Sequence, residues 1–197
     1  MKQLLLILFS GLSLLCCSTR ATNEESGIAP EQKTNSLTYE GSNNEKSMKQ
    51  ITNNEKSMNN PYYSRTDTTK LNVDDTEWKK VLPDSIYHIA REKGTEYAFS
   101  GKYWNYEGIG TYYCVACGNK LFKSDAKFSS SCGWPSFFET IRKNAVLYHD
   151  DRSHGMQRIE VVCGRCDSHL GHVFDDGPPP TNLRYCMNSL MLDFEPQ

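Results

Sequence analysis

Apolar and polar positions divide the 197-residue chain into three parts. The first part is a short apolar run, Leu4–Leu15, which follows the basic start Met1–Gln3. A run of about a dozen apolar residues behind a basic start is typical of a secretory signal peptide, and it is too short for a membrane-spanning helix of roughly 20 residues. We therefore predict a signal peptide over residues 1–17 and export to the periplasm or cell envelope, where thiols tend to be oxidised.

Two cysteines, Cys16 and Cys17, follow the apolar run directly. A cysteine at this place resembles the lipidated residue of bacterial lipoproteins, and Cys17 fits that position better, since Leu14 lies three residues before it. The Ala, Gly or Ser that usually precedes the lipidated cysteine is missing, so an ordinary cleaved signal peptide is the alternative. The sequence thus predicts an exported protein that is tethered to the membrane through a lipidated Cys17.

The second part, residues 18–70, is polar. Its only Val, Ile, Leu or Phe residues are Ile28, Leu37 and Ile51, and it contains eight Asn. Such a composition cannot bury enough apolar surface to offset the entropy lost on ordering. We predict a disordered tether over residues 18–70, whose removal should leave fold and activity intact.

The third part, residues 71–197, has the patterns of a folded domain. Two short helices are predicted at its front, over residues 77–82, where Pro83 ends the helix, and over residues 86–91. After Gly101 the pattern changes to short strands separated by turns, with candidates at residues 110–115, 145–149, 158–163, 172–175 and 184–187. The prediction is a mainly β (α+β) domain with two small antiparallel sheets, N-terminal helices and a structural four-cysteine zinc site.

Charge and missing motifs narrow the function. The 22 Lys and Arg residues nearly balance the 24 Asp and Glu residues, for a net charge of −2, which gives no reason to expect a nucleic-acid partner. The chain has neither a Gly-rich phosphate loop nor a G-x-S-x-G motif. Nucleotide-dependent and serine-hydrolase chemistries therefore lose support, and no organic cofactor is expected.

Four of the eight cysteines form two C-x-x-C pairs, Cys114 with Cys117 and Cys163 with Cys166. Two such knuckles supply the four thiolates of a tetrahedral Zn²⁺ site, which leaves no open position on the metal. We predict one structural Zn²⁺ per chain. Two redox-active pairs or structural disulfides are the alternatives, and the signal peptide adds weight to the disulfides.

The two remaining cysteines of the domain, Cys132 and Cys186, lie far apart in sequence in polar surroundings. His169 and His172 precede Cys186, and a histidine next to a cysteine can activate its thiol as a nucleophile. The alternative is a pair of buried cysteines with histidines that serve no chemistry. These residues support a redox thiol site as a hypothesis.

A resemblance rests on several motifs that occur in order. They are the first knuckle, the run Ser131–Phe137, the second knuckle followed by His169–Pro178, and the run Leu183–Ser189. Together they resemble the B type of the methionine-R-sulfoxide reductase family over Thr76–Leu192. This resemblance implies thiol-dependent reduction of methionine-R-sulfoxide in proteins or peptides, in repair of oxidised proteins, with a thioredoxin-like reductant.

The resemblance also implies roles for individual residues. Cys186 matches the nucleophile that becomes a sulfenic acid, and Cys132 matches the cysteine that resolves it as a disulfide. His172 and His169 would bind the sulfoxide oxygen and supply protons, with Asp176 as a candidate orienter of a histidine. The resemblance also places Asn188 beside the nucleophile, Trp134 against the substrate's S-methyl group, and Arg184 where its charge favours the thiolate. His149 lies in a stretch where the family often carries an active-site histidine, although His154 could align there instead.

A second interpretation stays open beside the enzyme. The domain could be a non-enzymatic zinc-ribbon binding module or a thiol-based redox sensor. A nucleic-acid ribbon would show basic clusters around its knuckles, whereas acidic residues such as Asp125 and Asp167 occur throughout this domain. A sensor would need Cys132 and Cys186 but neither Trp134 nor Asn188.

Overall fold

The computed structural model of the protein describes residues 59–197. Two α-helices lie at the front of this part of the chain, α1 over Asp75–Val81 and α2 over Asp84–Ala90. Pro83 separates them, because proline lacks the N–H that would continue α1. Each helix turns an apolar face inward: α1 buries Trp78, and α2 buries Ile89 and Ala90. Both predicted helices are confirmed, with small differences at their ends.

Nine antiparallel strands form two sheets in the described residues. The strands are β1 (Gly110–Cys114), β2 (Lys120–Lys123), β3 (Lys127–Phe128), β4 (Ser136–Phe137), β5 (Val146–Asp151), β6 (Arg158–Cys163), β7 (His169–Phe174), β8 (Arg184–Met187) and β9 (Leu192–Pro196). The three-stranded sheet has the order β2-β1-β9, and the six-stranded sheet has the order β3-β4-β8-β7-β6-β5. The predicted fold class is confirmed: the domain is mainly β, with two antiparallel sheets behind the two short helices.

An aromatic core joins the two sheets. Phe122 of β2 stacks on Phe137 of β4 with ring centroids 4.3 Å apart, and Tyr112 of β1 meets Phe137 edge-on at 5.0 Å. All three side chains are fully buried. The three-stranded sheet therefore packs on the six-stranded sheet through these rings, which fixes β4 and the loop that precedes it.

Strands β7 and β8 approach each other closely at Gly171. A Cβ atom at this position would lie 2.1 Å from the carbonyl oxygen of Cys186, well inside van der Waals contact. Only glycine lets the β7 backbone pass so near the β8 backbone at this point. The pairing also sets His172 of β7 directly opposite Cys186 of β8.

Residues 59–71, which we call the strap, lie across both C-x-x-C knuckles. At the first knuckle, Asn60 Nδ2 donates to the carbonyl of Ala116 at 2.8 Å, and the Ser64 N–H donates to the carbonyl of Cys117 at 3.0 Å. At the second knuckle, the buried Arg165 donates to the carbonyls of Tyr62 and Thr69 in the strap.

The strap corrects the predicted boundary at residue 71. Residues 59–70 contain no Val, Ile, Leu or Phe, but ion pairs fasten them to the domain, including Arg65 to Asp193 and Arg165 to Asp67. Tyr62 also packs edge-on against Trp78. The prediction of disorder is wrong for these residues, because a count of aliphatic side chains and Phe overlooks polar and tyrosine contacts.

The remaining predictions for the front of the chain lie outside the described residues. They are the signal peptide over residues 1–17, the lipidated Cys17 and the tether up to residue 58. None of the helices within residues 59–197 has the length and hydrophobicity that a membrane span requires.

Removal of the strap should destabilise the domain. A protein that lacks residues 19–70 loses the bonds to both knuckles and leaves the Arg165 guanidinium without its strap partners, which should lower the free energy of unfolding by about 2 to 4 kcal/mol. The matched control lacks residues 19–58 only and should unfold at the same urea concentration as the full protein. Urea unfolding followed by circular dichroism measures both, and equal midpoints for the two deletions would show that the strap contacts contribute nothing.

Candidate active site and metal centre

The four knuckle sulfurs form a closed cluster. Cys114, Cys117, Cys163 and Cys166 place their Sγ atoms within 4.8 Å of one another, and all four residues are buried. The Sγ atoms of Cys114 and Cys166 are 3.8 Å apart, and those of Cys117 and Cys163 are 3.6 Å apart. A tetrahedron of sulfurs about 2.3 Å from a Zn²⁺ ion has edges of about 3.8 Å, so the cluster fits a zinc ion.

Polar neighbours of the sulfurs support the same conclusion. Asn119 Nδ2 lies 3.5 Å from Cys163 Sγ, and Ser168 Oγ lies 3.3 Å from Cys166 Sγ. An amide N–H donor such as that of Asn119 stabilises a thiolate and orients it as a metal ligand. The first knuckle follows β1 and the second follows β6, so a bound ion would connect the three-stranded sheet to the six-stranded sheet.

The other two cysteines of the domain meet at a cavity. Cys132 Sγ and Cys186 Sγ are 3.6 Å apart, although 54 positions separate the residues in sequence. Cys186 lies on β8, and Cys132 comes from the loop before β4, which pairs with β8 through Ser136 opposite Cys186. A small approach of the sulfurs would give a disulfide bond of about 2.05 Å.

Cys186 lines a cavity of about 140 Å³. The cavity is bounded by Thr95, Trp134, Arg158, Gly171, His172, Phe174, Cys186, Met187 and Asn188. It brings together four of the predicted site residues, Cys186, His172, Trp134 and Asn188, with Cys132 beside Cys186. Trp134 and Phe174 make part of its wall apolar, which suits a thioether or a methyl sulfoxide.

The sulfur pair shares one proton. The hydrogen bond between the two sulfurs, together with Ser130 Oγ at 2.8 Å, lowers the pKa of Cys132 to about 4. The same contact and burial raise the pKa of Cys186, against the opposing charge of Arg184. The hydroxyl oxygens of Ser130 and Ser136 lie 2.8 and 3.6 Å from Cys132 Sγ, so the surroundings favour the negative charge of the pair on Cys132. The predicted effect of Arg184 on the Cys186 thiolate is present, but the neighbouring Cys132 outweighs it.

This charge distribution predicts the order of alkylation. At about pH 6, above the pKa of Cys132 and below that of an ordinary thiol, iodoacetamide should modify Cys132 before Cys186. In a Cys132→Ser variant the neighbouring charge is lost, so the pH midpoint for alkylation of Cys186 should fall towards that of a free thiol. Peptide mass spectrometry locates the label, and first modification of Cys186 in the unaltered protein would contradict the assignment.

His172 is held by a carboxylate that the sequence does not single out. Its Nε2 lies 2.7 Å from Asp151 Oδ2, and Asp151 Oδ1 accepts a hydrogen bond from the Ser153 N–H at 2.9 Å. Hydrogen bonds from Ser153 and His172 lower the pKa of Asp151, so the carboxylate is ionised and the proton of this contact belongs to His172 Nε2. His172 lines the cavity, and its other ring nitrogen, Nδ1, makes no hydrogen bond within residues 59–197.

The predicted orienter of histidine, Asp176, has a different partner. Its carboxylate accepts two hydrogen bonds from Arg184, at 2.8 and 2.9 Å. Arg184 also lies over the Phe174 ring, 4.4 Å from the ring centroid. The prediction for Asp176 is therefore wrong: a guanidinium engages both of its oxygens, and Asp151 supplies the contact to His172.

His169 lies behind the cavity rather than in its wall. It is buried, and its Nδ1 lies 2.8 Å from Glu160 Oε1, while Lys93 Nζ donates to Glu160 Oε2 at 2.7 Å. Burial opposes the charge on Glu160, yet Lys93 and His169 bring the pKa of Glu160 below its ordinary value. The ring centroids of His169 and His172 are 5.4 Å apart, so His169 supports His172 from the interior.

Asn188 and its neighbours are fixed by another buried carboxylate. Asn188 Nδ2 donates to the carbonyl of Leu170 at 3.1 Å, and its Oδ1 accepts the Glu96 N–H at 3.1 Å. The Glu96 carboxylate accepts the backbone N–H groups of Ser189 and Leu190. Glu96 thereby positions the chain that follows Cys186, a role that the sequence alone does not indicate.

His149 and His154 stay outside this arrangement. Both are exposed, and neither lines the cavity of Cys186. His149 lies on β5 opposite Glu160, in the same cross-strand row as His172 and Cys186. A role for His149 in substrate binding therefore stays a prediction.

Comparisons with known proteins agree with this geometry. A family profile described as the SelR domain matches residues 82–196. The peptide methionine sulfoxide reductase MsrB of Acinetobacter baylyi is 55% identical over 126 residues, which cover 64% of this chain and 91% of that protein. The MsrB proteins of Acinetobacter baumannii and Agrobacterium fabrum are each 53% identical, over 128 and 127 residues that cover 65% and 64% of this chain and 92% and 94% of those proteins. With a matching family profile and relatives this similar over most of their length, the chain belongs to the MsrB family of peptide methionine sulfoxide reductases, which are oxidoreductases.

Proposed function

We propose that this protein reduces methionine-R-sulfoxide in peptides and proteins to methionine, as repair of oxidised proteins. The observation that carries the proposal is the pair of sulfurs 3.6 Å apart, one of which opens into a cavity walled by Trp134 and His172. The family relationship supports the same reaction, because the relatives are named peptide methionine sulfoxide reductases.

The first step is attack of Cys186 Sγ on the sulfoxide sulfur. The Cys186 thiol gives up its proton to the nearest acceptor, the neighbouring Cys132 thiolate. The sulfoxide oxygen is transferred to Cys186. The products are methionine and a sulfenic acid on Cys186, so the substrate sulfur gains the two electrons that Cys186 loses. His172 in its protonated form donates to the oxygen through Nδ1 as negative charge grows there, since its Nε2 is committed to Asp151.

The second step closes a disulfide. Cys132 Sγ, which took up the Cys186 proton in the first step, attacks the sulfur of the Cys186 sulfenic acid and passes that proton to the departing oxygen, so the S–O bond breaks and the oxygen leaves as water. A thioredoxin-like protein then supplies two electrons through its own dithiol and restores both cysteines. Cys132 suits this role because it is the less buried sulfur and the one with the lower pKa.

Selectivity for the R epimer follows from the two sides of the cavity. Trp134, held by the hydrogen bond from its Nε1 to the carbonyl of Glu96 at 3.2 Å, offers an apolar surface to the S-methyl group. His172 offers a donor to the oxygen. When sulfur faces Cys186, these two requirements are met together by one configuration of the sulfoxide only.

Turnover of a racemic methionine-sulfoxide peptide with dithiothreitol tests the proposal. We expect consumption of the R epimer and retention of the S epimer, as resolved by chiral chromatography, with the Cys186→Ser variant as the inactive control. If neither epimer is consumed while peroxide still forms the Cys132–Cys186 disulfide, the protein is a redox sensor instead.

We propose that the metal is Zn²⁺, one ion per chain, in a structural role. Four buried sulfurs at tetrahedral spacing favour zinc over oxygen-seeking ions, and the closed cluster leaves no position for a substrate. When bound, the ion would connect the two knuckles and hence the two sheets.

We also propose that the mature protein is exported to the periplasm or cell envelope and anchored through a lipid on Cys17. The support is the order of the basic start, the apolar run and the cysteine at its end. A Cys17→Ser variant should move from the membrane fraction to the soluble fraction, whereas the matched Cys16→Ser variant should stay with the membrane. A Cys17→Ser protein that remains in the membrane fraction argues against the anchor.

A further inference from the structure

Arg158 lines the cavity of Cys186, and the mechanism proposed above gives it no role. It is the first residue of β6, opposite Asp151 at the end of β5. Its Nη2 donates to Asp151 Oδ2 at 2.7 Å and lies 3.3 Å from Ser153 Oγ. Its Nε is buried without a hydrogen-bond partner among the described residues, which is a cost that a purely structural arginine would avoid.

Arg158 and His172 bind the same oxygen atom. Asp151 Oδ2 accepts from Arg158 Nη2 and from His172 Nε2, each at 2.7 Å. Both side chains are largely shielded from water, with exposed fractions of 22% for Arg158 and 14% for His172. Charges this close and this shielded interact far more strongly than charges on an open surface.

We infer that Arg158 is a positioning residue of the proposed reduction, which fixes Asp151 and limits how much of its negative charge His172 receives. The role of Arg158 in catalysis rests on the proposed function, whereas the effect of Arg158 on His172 is a property of the resting protein. With Asp151 fixed by Arg158 on one oxygen and by the Ser153 N–H on the other, His172 keeps its proton on Nε2 and presents Nδ1 to the cavity.

The charged and titratable groups around His172 set the direction of the effect. They are Asp151 on β5, Arg158 and Glu160 on β6, His169 on β7 and Cys186 on β8, with the Cys132 thiolate beside Cys186. Burial lowers the pKa of His172, Asp151 and Glu160 raise it, and Arg158 lowers it. Loss of Arg158 and loss of the Asp151 charge should therefore shift the titration of His172 in opposite directions.

An NMR titration of His172 in the reduced, zinc-containing protein tests the inference. The chain has five histidines, and the signal that disappears in a His172→Gln variant assigns the ring. In Arg158→Met, the His172 midpoint should rise by about 0.5 to 1 pH unit, since a cation is lost from a shielded site. In Asp151→Asn, the midpoint should fall.

Two further variants serve as controls. Arg152→Met removes an exposed arginine from the same turn and should leave the His172 midpoint where it is. Arg158→Lys keeps the charge and should restore the midpoint of the unaltered protein. If Arg158→Met fails to fold, as judged by zinc content and circular dichroism, the comparison of Arg158→Lys with Arg158→Gln replaces it.

Activity gives a second readout. In Arg158→Met, kcat for the sulfoxide peptide should fall about 10-fold with little change in KM, because Asp151 and His172 lose their fixed orientation while binding of the peptide is unchanged. A His172 midpoint that stays unchanged or falls in Arg158→Met overturns the inference, whatever the activity. Absence of turnover in the unaltered protein overturns the proposed function and leaves the titration result valid.

Discussion

Cys186→Ser should abolish reduction of methionine sulfoxide with every reductant. A serine hydroxyl near neutral pH is a far weaker nucleophile than a cysteine sulfur and cannot form a sulfenic acid, so the rate should fall by about 10⁴-fold or more. The substitution only exchanges sulfur for the smaller oxygen at a half-buried position, so the fold and the metal content should be unchanged. Release of methionine from a sulfoxide peptide in a single turnover measures the effect directly.

Cys132→Ser is the matched comparison, since it removes the other sulfur of the same pair. Only Cys186 forms a bond to the substrate in the first step, and without the Cys132 charge it can lose its proton to water, so close to one equivalent of methionine should still form in a single turnover. Recycling by a thioredoxin-like protein should fall about 100-fold, because that reductant acts on a disulfide that can no longer form. Dithiothreitol is small enough to attack the sulfenic acid and should sustain turnover.

Two results would reverse these assignments. Equal loss of the single-turnover methionine in both variants would mean that Cys132 takes part in the first step beyond accepting a proton. Full thioredoxin-driven turnover by Cys132→Ser would mean that a thiol other than Cys132 resolves the sulfenic acid.

Cys114→Ser should unfold the domain. Binding of a structural zinc ion contributes roughly 10 kcal/mol or more, which is comparable with the whole stability of a typical domain of about 5–15 kcal/mol. Loss of one of the four sulfurs leaves a buried cluster that cannot close around the ion, and the connection between the two sheets is lost with it. Metal analysis should find well under one Zn²⁺ per chain, and thermal unfolding should begin far below that of the unaltered protein.

Cys132→Ser again provides the control, because it removes a thiol outside the cluster. It should retain one Zn²⁺ per chain and the thermal midpoint of the unaltered protein. A stable, cooperatively folded Cys114→Ser protein without metal would show that the packing of Phe122 on Phe137 holds the two sheets together unaided.

Much of the fold can be predicted because its signals are local. Pro83 ends a helix, and runs of apolar and β-branched residues mark strands such as β6. Strands β2, β3, β4 and β9 escape prediction, because each is defined by its pairing with a neighbouring strand rather than by its own sequence.

The metal centre can be predicted from local sequence, whereas the carboxylates that position the site residues cannot. Spacing alone marks the two knuckles, since C-x-x-C places two sulfurs on one ion wherever the partner knuckle lies. Asp151, Glu160 and Glu96 instead acquire their roles from strand register and loop packing, and nothing near them in sequence distinguishes them from carboxylates that face solvent. Asp176 is close to His172 in sequence, but β7 ends at Phe174 between them, so this closeness does not predict a contact between the two side chains.

The strap shows a further limit of reasoning from composition. Many of its contacts are polar: backbone hydrogen bonds, ion pairs such as that of Arg65 with Asp193, and the guanidinium of Arg165, which binds Tyr62, Asp67 and Thr69 at once. A polar segment can therefore be ordered when the surface beneath it offers unpaired carbonyls and a buried cation. Counting apolar residues detects hydrophobic packing and overlooks this kind of order.

The strap also determines how the domain bears mechanical load. A pull on the chain from its N-terminal side reaches Asn60 first, and Asn60 and Ser64 pass it to the carbonyls of Ala116 and Cys117. A bound ion would stiffen those loops, since four metal–sulfur bonds would join them to the end of β6. The same pull would reach β9 through Arg65 and Asp193, whereas none of the strap contacts named above lies on β8, the strand of Cys186.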